Sequence, residues 1–159
     1  MKLLLILTIF NLSTETLRTI RTLYNSAIDS ETSAIKLDDY LKTFKADDAL
    51  IIGYLGANKM LLAKYAIMPN QKYAYFSEGR QKLDKAIGLE PSNLELRYLR
   101  YSIQLNSPSF LGYNKNIIED RAALINGTSG LSDHDLKVKI ISFLVVSGKL
   151  SDAERSLLK

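Results

Sequence analysis

Cysteine is absent from the sequence and histidine occurs once. The first absence excludes disulfides, thiolate nucleophiles and cysteine-ligated metals, and leaves the redox compartment open. The second confines histidine chemistry to His134, in the run Ser132-Asp133-His134-Asp135. Successive helical residues point in different directions, so His134 with Asp133 and Asp135 reads as a solvated first helical turn whose acids favour the helix N-terminus. Neither a metal site nor a cofactor is expected. A Gly-x-Ser-x-Gly elbow and a phosphate-cradling glycine loop are missing too. Carboxylates do occur side by side at Asp38-Asp39, Asp47-Asp48 and Glu119-Asp120. Adjacent helical positions diverge by about 100°, which does not by itself make an acid/base pair. The leading expectation is therefore a non-enzymatic protein; the alternative is a small enzyme whose acid/base residues converge only in the fold.

Membrane-spanning runs are also lacking. Met1 and Lys2 precede an apolar stretch over residues 3–10 that is too short to cross about 30 Å of hydrocarbon. A charge followed by a short apolar run resembles the first two regions of a signal peptide. Residues 1–12 are thus read as a signal or apolar N-terminal segment, and 13–159 as a single all-α domain. The expected location is exported, periplasmic or envelope-associated, with the cytoplasm as the alternative. Lysine and arginine outnumber acids by 21 to 17, a net charge of +4, spread evenly along the chain. With no basic tail, a nucleic-acid partner would rest on the pI of about 9.2 alone, and none is expected.

What is present is helical periodicity. Ser13 can cap a helix bearing Leu17, Ile20, Leu23, Tyr24 and Ile28, and a second should start after Asp29 or Ser30 and bury Ala34, Leu37, Leu41 and Phe44. A third begins near Asp47 and carries small residues at Ala49, Gly53 and Ala57. That spacing predicts close packing of a buried helix at Gly53 and Gly56. Asn70 is expected to cap a fourth helix that ends at Gly88, and Ser92 with Glu95 has capping-box spacing for a fifth. This fifth helix has Leu94, Tyr98, Tyr101 and Leu105 on one face, widened by Leu96, Leu99 and Ile103. So wide an apolar arc predicts a helix sandwiched between two neighbours. A sixth helix holds Ile117 to Ile125, Ser132 should cap a seventh, and Ser151 with Glu154 opens an eighth. The β-rich run 140–146 is read as part of the seventh helix, because a serine cap precedes it and Gly148 follows.

Leu83, Ala86, Ile87, Leu89 and Pro91, followed by Asn93, resemble the end of a tetratricopeptide repeat. The chain departs from that pattern at Gly79, where the repeat prefers alanine, and at Arg97, where the next helix usually carries tryptophan. The run RYLRYSIQLNSPSFLGY, preceded by Lys64 and Tyr65, is similar to small uncharacterised bacterial helical proteins of the secreted type. The resemblance implies antiparallel helical hairpins stacked as a short tetratricopeptide-like solenoid. It also implies a module that binds a protein or peptide. The expected partner-binding residues are Arg97, Arg100, Gln104 and Tyr113. The first three lie on one polar line of the fifth helix, so they should face solvent, a groove, or acids such as Glu119 and Asp120 on the next helix. Phe110, Leu111 and Tyr113 lie in a loop and are expected either to plug the core end or to line a groove.

Overall fold

The computed structural model describes residues 12–45, 47–148 and 150–158, and every regular element among them is helical. Eight α-helices follow in order: α1 (Thr14–Ala27), α2 (Glu31–Leu41), α3 (Ala49–Tyr65), α4 (Pro69–Leu89), α5 (Leu94–Asn106), α6 (Ile117–Gly127), α7 (His134–Ser147) and α8 (Asp152–Leu157). The all-α class expected from the periodicity is observed. Of the signal or apolar segment expected at residues 1–12, residues 1–11 lie outside the described residues. No described helix is long and apolar enough to cross a membrane.

Side-chain caps start most of these helices. Ser13 accepts the Thr16 N–H at 3.1 Å, Ser30 accepts that of Ser33 at 3.2 Å, and Asp48 accepts those of Leu50 and Ile51. Ser151 and Glu154 form the reciprocal capping box. Four expected boundaries are corrected. Helix α4 starts at Pro69, one residue before Asn70, with Met68 in extended backbone and no side-chain cap. Proline suits the first helical position and forces its predecessor to extend, so it overrides the asparagine. The same effect ends the helix. Gly88 remains helical, and Glu90, just before Pro91, is the residue that leaves the α region, at φ −131° and ψ 74°. Asn93, rather than Ser92, caps α5 by accepting the N–H groups of Glu95 and Leu96. Asp133, rather than Ser132, caps α7 by accepting the Leu136 N–H at 3.0 Å.

Helix α3 is buried on nearly every side, as its mostly apolar sequence requires, and packs against α1, α2, α4 and α5. Its closest approach is to α4. A Cβ placed at Gly56 would sit 2.6 Å from the Leu83 nitrogen and 2.7 Å from the Gly79 oxygen, so the two backbones touch only because both residues are glycine. Helix α5 then serves as a wall shared by two cores. Leu96 and Leu99 join the core of α1 to α4, while Tyr98 and Tyr101 join a second core with Leu124, Ile140 and Leu144. Phe143 of α7 meets both tyrosine rings edge-on, at 5.4 and 5.8 Å between centroids. The sandwiched position expected for α5 is the observed one, with Leu105 left at its exposed end.

Candidate functional site

The residues expected to bind a partner are drawn into the protein's own interior. Arg97 donates to Glu119 Oε1 at 2.8 Å, to Asp120 Oδ1 at 2.9 Å and to the Pro91 carbonyl at 2.6 Å. Arg100 holds Asp120 with two bonds, Nε to Oδ2 at 2.7 Å and Nη2 to Oδ1 at 2.8 Å. Its remaining nitrogen faces Asp84 at 3.5 Å, and Tyr113 donates its hydroxyl to the same Asp84 oxygen. Three of the four expected residues therefore converge on one network that ties α4, α5, α6 and the loop before α6 together. Gln104 is buried as well, with neither amide atom hydrogen-bonded within the described chain.

Asp120 is fully buried, so this network is a desolvated charge cluster rather than an open groove. Of the alternatives for the arginine line, solvent, groove or the acids of α6, Arg97 and Arg100 take the third. The reason is spacing: Glu119 and Asp120 lie in the first turn of α6, opposite the arginines, where acids also suit the helix dipole. The hydrogen bond from Arg97 holds the Glu119 carboxyl below its usual range. For Arg100, burial opposes the charge, but Asp120 outweighs it and the pKa rises. Burial, followed by the charge of Asp84, pushes the Tyr113 hydroxyl up.

A second polar cluster joins residues far apart in the sequence. Glu95 is buried, and both its oxygens are taken by Arg21, at 2.7 Å each, with the Tyr54 hydroxyl also donating to Oε1. Arg21 continues to Asp133 at 2.8 Å, which links α1 to the start of α7. An open cleft of about 390 Å³ lies above this cluster. Burial, then the charge and hydrogen bond of Glu95, raise the Tyr54 pKa well above that of an ordinary phenol. A carboxylate so fully engaged holds helices together and has no free oxygen positioned as a base. Among the described residues, no three His, Asp or Glu side chains are grouped to hold a metal ion.

A larger concavity lies elsewhere, between the end of α1, the second half of α3, the start of α4, α5 and α7. It is a groove of about 900 Å³ with Tyr24, Met60, Phe76, Ile103, Leu111 and Phe143 among its walls. From Tyr98 to Asn106 it follows α5 for about 12 Å, two helical turns. Its polar edge includes Lys64, Lys72 and Lys139, and among the described residues no carboxylate lines it. The loop after α5 divides its aromatic residues. Tyr113 plugs the core against Phe76, at 5.8 Å between ring centroids, while Phe110 stands on the groove 84% exposed. Phe110 and Leu111 are the clearest sequence signal of this groove, since most of its other walls come from helices far apart in the chain. No protein-family model, curated protein or solved structure matches this chain.

Proposed function

We propose that the chain is a non-catalytic module that binds a protein or peptide, and that the partner seats in the apolar groove along α5. The supporting observation is continuity between the groove and exposed apolar surface. Tyr73 and Phe110 on its edge are 69% and 84% exposed, and Ile67 and Met68, next to the lining residue Pro69, are 86% and 61% exposed. Scattered apolar residues on a surface need no explanation, whereas a patch that opens into a cavity is the usual mark of a binding site. A two-turn groove suits an amphipathic helix that inserts apolar anchors. The resemblance of Leu83, Ala86, Ile87, Leu89 and Pro91 to the end of a tetratricopeptide repeat is in keeping with the same reading, because such repeats commonly present binding faces. On this reading Arg97, Arg100 and Tyr113 act indirectly, by fixing α4, α5 and α6 as walls.

Chemical-shift mapping of the full chain with amphipathic helical peptides of differing charge tests this. Perturbed amides should cluster at the start of α4, the end of α5 and the loop containing Phe110. Tyr73→Ser with Phe110→Ser should weaken binding about tenfold or more, as loss of aromatic anchors does, with little change in melting temperature. If no peptide binds tighter than about 1 mM, or if the perturbed amides lie away from the groove, the proposal fails.

A further inference from the structure

We infer that the occupant of the groove is an acidic amphipathic helix of a partner protein, with its apolar stripe on α5 and its carboxylates on Lys64, Lys72 and Lys139. This rests on the binding reading above and adds the chemistry of the partner. Among the described residues, the lining contains three lysines and no aspartate or glutamate. They stand on two sides: Lys64 ends α3 and Lys72 begins α4, whereas Lys139 comes from α7. An apolar floor edged by cations complements a helix whose apolar positions recur at three and four residues and are flanked by acids.

Lys139 carries the charge argument furthest. It is half-buried, lies 5.7 Å from the Tyr98 ring centroid, donates to the Asn25 side chain and makes no ion pair with a described carboxylate. Burial lowers its pKa, while Glu95 raises it and Arg21 lowers it further from a distance. Glu95 is itself held by Arg21 and Tyr54 and so does not neutralise Lys139. A cation that has already lost hydration gains most from an arriving carboxylate. The rim favours a helix over a single-chain anionic lipid. A lipid within the groove would leave Ile67 and Phe110 in water, whereas a helix across the mouth can cover them.

The test uses the full chain and three labelled peptides of about four helical turns. They share one leucine stripe and differ in flanking residues, which are glutamate, glutamine or lysine. Fluorescence anisotropy near 0.15 M salt should show the glutamate peptide binding about tenfold tighter than the glutamine peptide, with the lysine peptide weakest. Lys139→Gln should remove most of that preference. Lys72→Gln, at an exposed position, should reduce the preference too and keeps the test decisive if the first variant does not fold. Equal affinity for the glutamate and glutamine peptides would overturn this inference and leave the binding module standing. If no peptide binds, both readings fall. If only a long-chain fatty acid below its micelle threshold binds, the site is a lipid site and the helix assignment is overturned.

Discussion

Replacing Asp120 with alanine should be among the most damaging single changes that leave the apolar cores intact. Its carboxylate accepts three hydrogen bonds from Arg97 and Arg100 at 2.7 to 2.9 Å and is fully buried. Removing one member of a buried ion pair costs about 3–5 kcal/mol, because the remaining charge is left desolvated and unmatched. Arg97 would keep the half-exposed Glu119, and Arg100 only Asp84 at 3.5 Å. A domain of this size has about 5–15 kcal/mol in total, so the loss is a large share. It corresponds to a melting temperature lower by roughly 6–20 °C, at about 2–4 °C per kcal/mol for chains of this length. Urea unfolding followed by far-UV circular dichroism measures it directly. Glu119→Gln serves as the control, since its carboxylate is 57% exposed and such pairs contribute only about 0–1 kcal/mol. A second comparison is Arg100→Met with Asp120→Leu, which removes both charges and should recover much of the loss. If Asp120→Ala destabilises no more than Glu119→Gln, the network does not lock α5 to α6 and the argument is wrong.

The glycines offer a contrast of opposite sign. Gly56→Ala places a methyl group against the α4 backbone and should cost about 1–3 kcal/mol or more. Gly88→Ala meets nothing within 4 Å inside a helix and should stabilise by about 0.5–1 kcal/mol in the same urea assay; the reverse order would refute the packing described. Acid should act on α8 through Glu154, whose carboxyl is lowered from 4.5 to about 2 by the Arg121 hydrogen bond and then by the Ser151 N–H. A depressed carboxyl stabilises fully above its unfolded pKa and loses that effect as pH falls through the folded one. Wild-type melting temperature should therefore fall more than that of Glu154→Gln between about pH 4.5 and about pH 2; parallel curves would show that the pair contributes nothing.

What could be read from the sequence was whatever depends on near neighbours. The caps at Ser13 and Ser30 and the Ser151 and Glu154 box each involve residues three positions apart. The arginine line of α5 could be matched with Glu119 and Asp120 because they lie on the next α-helix. Misreadings arose where two local signals competed: at both ends of α4 proline prevailed over asparagine and glycine. Glu95 lies at capping-box spacing from Ser92. Its actual partners, Tyr54 and Arg21, lie 41 and 74 positions away, beyond the reach of any spacing rule. The groove was hidden for the same reason. Most of its walls come from five helices, and Phe110 and Leu111 stand out as apolar residues in the segment between α5 and α6.

The ties of α1 to later helices bear on the order in which the protein can form. In an open array of hairpins each unit is completed by its sequence neighbour, and structure can spread outward from wherever it begins. Here Arg21 needs Glu95 and Asp133, and Asn25 meets Lys139 from 114 positions away. Contacts across such separations are made only after the loop-closure entropy has been met, which slows folding. A ribosome delivers α1 first, so this helix leaves the exit tunnel with its charged partner still unsynthesised. It gains its lock on α5 and α7 only once both of those helices have followed.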